Sequence, residues 1–138
     1  MDALREVVDR LKGQGYKKAA FLNVSGPFHS TLMKPAAGKL KEELSRMAFS
    51  QMLAPVVSNV DAVSNRESEK VIDLLFGQMF SPVLWERCVR RMAHEGIELF
   101  LEVGPQKVLT NMMKRITDIP CYHVETMAEI EAVRGVLS

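Results

Sequence analysis

Asn23-Val24-Ser25-Gly26-Pro27-Phe28-His29-Ser30 is the stretch on which the reading of this chain turns. The apolar run from Ala19 to Val24 predicts a strand, with Lys17 as its outer limit. Gly26-Pro27 breaks that run into a turn, and a helical apolar stripe follows at once. A titratable ring, His29, therefore stands where strand gives way to helix. No other stretch combines a backbone break, a titratable group and a helix start in this way.

Outward from that turn the same order repeats. Upstream, Leu4, Val7, Val8 and Leu11 lie at helical spacing and Gly13-Gln14-Gly15 ends the helix. Downstream, Met33, Ala36, Ala37, Leu40, Leu44 and Met47 mark one helical face, with Pro35 confined to the first turn. Pro55 to Val60 reads as a short buried parallel strand, and Asp61 to Glu67 as a polar loop. Val71, Ile72, Leu74, Leu75 and Met79 form the next helix. Ser81-Pro82 predicts a helix start, with Ser as N-cap and Pro at the first helical position, running to Gly96. Ile97 to Val103 is the strongest strand. Gly104-Pro105 turns into a helix bearing Val108, Leu109, Met112, Met113 and Ile116. Pro120 to Val124 is a last strand, and Thr126 with Glu129 has capping-box spacing for a final helix with Ile130, Val133 and Leu137 inward. Alternating strands and helices imply an α/β domain with a partial, mainly parallel sheet and flanking helices. Ligands of such sheets gather at the turns after the strands: Ser25 to Ser30, Ser58 to Asp61, and Gly104 to Lys107.

Composition narrows the function classes. The 138 residues are 47% hydrophobic and 25% charged with a net charge of +1, which fits one globular domain. That balance points to neither nucleic acid nor a membrane surface, and the apolar runs are too short to span a bilayer. Met1 to Glu6 is charged and helical in pattern and does not read as a signal peptide. Cys88 and Cys121 have no metal or redox spacing and read as reduced thiols of a cytoplasmic protein.

On residues alone, His29 is either a general base at the sheet edge or a structural ring. No orienting carboxylate lies near it in sequence, and neither Ser25 nor Ser30 is a convincing nucleophile. His94 reads as a solvated residue at a helix end and His123 as a structural strand residue. Three scattered histidines imply no metal site. Arg90-Arg91 and Lys114-Arg115 read as solvated helix charge, with an acidic partner as the other reading. Gly104-Pro105-Gln106-Lys107 lacks the glycines of a phosphate loop and reads as a plain turn.

Four blocks then resemble one family in its own order. These are Asn23 to Leu40 (NVSGPFHSTLMKPAAGKL), Pro55 to Ala62 (PVVSNVDA), Gln78 to Trp85 (QMFSPVLW) and Phe100 to Ile116 (FLEVGPQKVLTNMMKRI). They are similar to the histidine segment and the later strands and helices of the malonyl-CoA:acyl-carrier-protein transacylases. The resemblance implies that residues 1–24 are the last helix and strand of a ferredoxin-like small subdomain. Residues 25–138 would be the carboxyl-terminal part of the large α/β subdomain.

The resemblance also implies a chemistry. Malonyl passes from coenzyme A to a catalytic serine, then to the phosphopantetheine thiol of acyl carrier protein, in fatty acid or polyketide biosynthesis. His29 would be the general base. Gln78 would supply the backbone carbonyl that orients it. Phe28 would favour malonyl over a branched acyl group. No cofactor or metal is implied; the substrates are malonyl-CoA and the loaded carrier protein. The family's Gly-His-Ser-x-Gly elbow does not occur in the sequence. The chain alone is therefore expected to be inactive, and to need the amino-terminal half of the domain or to self-associate. The alternative is a non-catalytic module of the same fold that binds acyl carrier protein or serves as a scaffold. An enzyme of another class, using His29 with a different partner, is the third reading.

Overall fold

The computed structural model describes residues 2–16, 21 and 24–137. Most of the strand expected over Lys17 to Val24 lies outside those residues. The first helix, α1, runs Asp2–Gly13, and Gly15 follows it at φ 90°, a conformation glycine adopts without penalty.

After the Gly26-Pro27 turn a 3-10 turn, Thr31–Met33, leads into α2, Lys34–Leu44. Pro35 sits in the first turn of α2, where no backbone N–H is needed. Only Ala37 of the expected apolar face is fully buried, and Met47 lies beyond the helix and is exposed.

The Pro55 to Val60 segment departs from expectation. Only Val56–Val57 forms a strand, β1, and it pairs antiparallel with Ser64–Asn65, β2, inside the expected polar loop. The cause is the turn between them. Val63 N–H donates to Asp61 Oδ1 at 3.0 Å, Ala62 N–H donates to Ser58 O at 2.9 Å, and Ala62 takes φ 58°. Reversing the chain within so few residues permits only antiparallel pairing.

A 3-10 turn, Ser68–Lys70, opens α3, Val71–Gln78. Helix α4 covers Trp85–His94. The expected start at Ser81-Pro82 is three residues too early. Ser81 N–H still bonds Gly77 O at 3.1 Å, closing the last turn of α3, and Leu84 N–H donates to Asn59 O at 2.9 Å, a long-range bond that holds the segment between off the helix. Gly96, at φ 87°, follows the end of α4.

Strand β3, Phe100–Val103, is shorter than Ile97 to Val103 and pairs in parallel with β4, Cys121–Val124. Helix α5, Val108–Met113, connects them. Its start is held by Glu102 of β3, whose carboxylate accepts from Leu109 N–H, Thr110 N–H and the Thr110 hydroxyl. The Thr110 hydroxyl bond, with the two backbone bonds, lowers the Glu102 pKa. Helix α6, Met127–Leu137, closes the chain.

The fold is α/β with helices around small sheets, and parallel pairing among the described residues is confined to β3 and β4. Among the described residues the buried apolar side chains are few: Ala37, Cys88, Val89, Met113, Val124 and Val133. Leu53, Val103, Leu32 and Met127 stand largely in solvent. The framework that matters for the site is the α2–α3 pair. Lys41 Nζ lies 2.7 Å from Asp73 and 5.1 Å above the Phe76 ring, while Lys34 Nζ lies 5.5 Å above Phe80. This packing brings the turn that precedes α2 against the carboxyl end of α3.

Candidate functional site

The last carbonyls of a helix have no partner within it. At the end of α3, Phe76 O and Gly77 O are taken by the N–H groups of Met79, Phe80 and Ser81. Gln78 O meets His29 instead. His29 Nδ1 lies 3.1 Å from Gln78 O and 3.2 Å from Ser81 O, and His29 N–H donates to Met79 O at 3.2 Å. Three carbonyls of one short segment thus face a single residue.

Carbonyls only accept, so the proton at Nδ1 belongs to the ring. Nε2 is then the lone-pair nitrogen, and it makes no hydrogen bond to any described residue. His29 as a residue is exposed.

His29 takes φ 59°, a left-handed conformation that is uncommon outside glycine. Such a backbone costs about 1–2 kcal/mol and persists only where surrounding bonds hold it. Here the holding bonds are the three carbonyls and the turn itself. The Ser30 hydroxyl donates to Pro27 O at 2.7 Å, closing the turn; it caps no helix. Phe28 is half exposed and its ring lies over Gly26, where a Cβ would stand 3.4 Å from the ring.

The sequence reading of Ser81 missed its carbonyl. A backbone acceptor has no side-chain signature; the only local sign is that Pro82 restricts the residue before it. The remaining histidines stand apart from this site. His94 is exposed at the last residue of α4. His123 is buried in β4, with Nε2 donating to Gly104 O at 2.7 Å. Among the described residues no group of histidines, cysteines and carboxylates could hold a metal. Nor is any described helix long and apolar enough to cross a membrane.

Comparison with known proteins finds relatives of the chain as a whole. The malonyl CoA-acyl carrier protein transacylase of Escherichia coli K12 is 44% identical over 118 residues, which is 83% of this chain and 38% of that protein. An acyl-carrier-protein-S-malonyltransferase from Bartonella henselae superimposes with a TM-score of 0.92 at 34% identity, over 99% of this chain and 44% of that one. This chain is homologous to part of the malonyl-CoA:acyl-carrier-protein transacylases. It spans about two fifths of the length of the curated relatives it matches. A malonyl-transacylase solved in complex with its type II polyketide acyl-carrier protein is also similar, with a TM-score of 0.88 at 36% identity over 97% of this chain and 44% of its own. No family model matches the chain.

Proposed function

We propose that this chain forms the general-base portion of a malonyl-CoA:acyl-carrier-protein transacylase. The observation that carries the reading is the His29 ring, with Nδ1 against the Gln78 carbonyl and Nε2 free. Nε2 takes the proton of a serine as its oxygen attacks the malonyl thioester. The imidazolium then gives that proton to the departing coenzyme A sulfur, leaving malonyl-serine. In the second half, Nε2 takes the proton of the carrier's phosphopantetheine thiol. The sulfur attacks malonyl-serine, and the proton returns to the serine oxygen. The Gln78 carbonyl and the α3 carboxyl end play the part an aspartate plays in other triads: they fix the tautomer and stabilise the imidazolium.

Phe28 beside the base would crowd a branched α-carbon, favouring malonyl by about 1–3 kcal/mol. Residues 1–24 belong to the small subdomain and residues 25–138 to the large one. The serine comes from a Gly-His-Ser-x-Gly segment outside this sequence, so these 138 residues alone transfer no malonyl. The exposed apolar side chains mark faces that the rest of the domain covers. In its absence the isolated chain self-associates, and a clean monomer by light scattering at high concentration would count against this. The reaction needs no bound cofactor, and its setting is cytoplasmic.

The test is a chimera in which this chain replaces the matching part of the Escherichia coli enzyme. Malonyl transfer to carrier protein is expected, and His29→Ala should lower kcat by about 10²–10⁴-fold. A folded chimera whose turnover is indifferent to His29→Ala would overturn the reading. So would radiolabelled malonyl bound covalently to the isolated chain, because no serine here is assigned to receive it.

A further inference from the structure

Ser81-Pro82 reads as a helix start in the sequence, yet the structure uses it otherwise. Ser81 contributes no side-chain cap, and α4 begins only at Trp85. The Ser81 unit is instead tied at both ends, to the last turn of α3 and to His29 far away in sequence. Its N–H donates to Gly77 O at 3.1 Å, and its carbonyl oxygen lies 3.2 Å from His29 Nδ1, almost as near as Gln78 O at 3.1 Å.

Pro82 explains why that carbonyl keeps its direction. The proline ring bars the residue before it from helical backbone and biases it to extended geometry. That bias turns Ser81 away from continuing α3, and its carbonyl faces His29 instead. Two residues later Leu84 N–H is tied to Asn59 O at 2.9 Å, which keeps the segment from relaxing back.

We propose that Ser81, through its main-chain carbonyl, and Pro82, which aims that carbonyl, are positioning residues for His29. The Nδ1 proton is shared between Gln78 O and Ser81 O. The ring is thereby held from two directions, which fixes its plane as well as its tautomer. A single acceptor would leave the ring free to swing about one bond. The serine hydroxyl has no part in this; any residue that leaves the backbone extended would serve at position 81. The functional meaning rests on the reading of His29 as general base, but the structural claim can be tested without turnover.

The readout is the neutral-ring tautomer of His29 in the full 138-residue chain. It is measured from the ring ¹⁵N shifts near pH 9, well above the ordinary histidine pKa of about 6.5. Wild type should show mainly the Nδ1–H form. Losing one of two acceptors should lower the ratio of Nδ1–H to Nε2–H about three- to tenfold in Pro82→Ala, the equilibrium equivalent of one hydrogen bond. Ser81→Gly, which frees the same backbone without touching the proline, should shift it in the same direction and serves if Pro82→Ala does not fold. Ser81→Ala and Pro105→Ala should keep the wild-type ratio. The proposal is overturned if Pro82→Ala and Ser81→Gly both keep the wild-type ratio. It is equally overturned if Ser81→Ala shifts the ratio as far as Pro82→Ala, because the hydroxyl would then be the operative group. Failure here leaves the transacylase reading standing, since Gln78 O alone could orient the ring; failure of the chimera would remove that reading without changing the tautomer.

Discussion

The chain contains two Gly-Pro turns, each followed by a residue in the left-handed region and each tied to a histidine, but in opposite senses. In the first, Gly26-Pro27, the histidine is on the turn: His29 at φ 59° reaches out to the carbonyls of Gln78 and Ser81. In the second, Gly104-Pro105, the turn supplies the acceptor: Gly104 O takes the Nε2 proton of His123, and Gln106 is the left-handed residue at φ 70°. Both rings touch a main-chain carbonyl, so that contact alone does not mark a base. The difference is the second nitrogen. That of His29 has no hydrogen bond to any described residue and belongs to an exposed residue, whereas Nδ1 of His123 is buried, lacks a hydrogen bond and stands 3.6 Å from Glu129 Oε1. One ring leaves a nitrogen without a partner among the described residues, as the proposed base requires; the other ties the second turn to β4.

The largest effect that could break this contrast is catalytic. In the chimera, His123→Ala should leave kcat of the folded enzyme within about threefold, against the 10²–10⁴-fold loss expected for His29→Ala. Equal losses would mean that exposure of the second nitrogen does not separate the roles.

Stability should rank the two histidines the other way. His123→Ala removes a buried ring and orphans Gly104 O, at a cost of about 2–3 kcal/mol in urea unfolding. His29→Ala removes exposed bonds only and should cost about 0.5–1.5 kcal/mol. The glycines of the turns sharpen the same point. Gly104 sits at φ 131°, so Gly104→Ala should cost about 1–2 kcal/mol although nothing crowds the site. Gly26 has no such φ, and a Cβ there meets the Phe28 ring at ordinary contact distance; Gly26→Ala should change stability by less than about 0.5 kcal/mol.

Much of this was legible in sequence wherever the decisive interaction is local. The helical stripes, the Pro35 position, the glycine stops at Gly15 and Gly96, and the Thr126–Glu129 capping box all depend on neighbours a few residues away. What escaped was decided at long range. Val56–Val57 carries the composition of a buried parallel strand, but periodicity cannot name a partner, and the Asp61–Ala62 turn supplied an antiparallel one. Ser81-Pro82 carries a sound capping signature, but Leu84 N–H bonds to Asn59 and the Ser81 carbonyl faces His29, across 25 and 52 residues of sequence. The acceptors at Gln78 and Ser81 are invisible for a simpler reason: every residue has a carbonyl. Gln78 carries a signal only through the family resemblance, and Ser81 carries none in sequence, because its carbonyl meets His29 only in the folded chain.

The smallest predicted effect tests how the second turn is fastened. Glu129 Oε2 accepts from Glu125 N–H at 2.9 Å, Thr126 N–H at 3.0 Å and the Thr126 hydroxyl at 3.1 Å, and Glu129 N–H returns a bond to Thr126 Oγ1. Lys107 Nζ, from the second turn, stands 3.8 Å from the same carboxylate. The backbone bonds from Glu125 and Thr126, followed by the Thr126 hydroxyl and the His123 ring, lower the Glu129 pKa from 4.5 to about 2. A depressed carboxyl adds stability that is fully present above the unfolded value near 4.5 and is lost as pH falls toward 2. Glu129→Gln keeps a capping acceptor but cannot ionise. Its thermal midpoint should lie slightly below wild type at pH 7, and the gap should close between pH 4.5 and 2. A gap that persists unchanged to pH 2 would show that shape, not the carboxylate charge, fastens α6 to the turn.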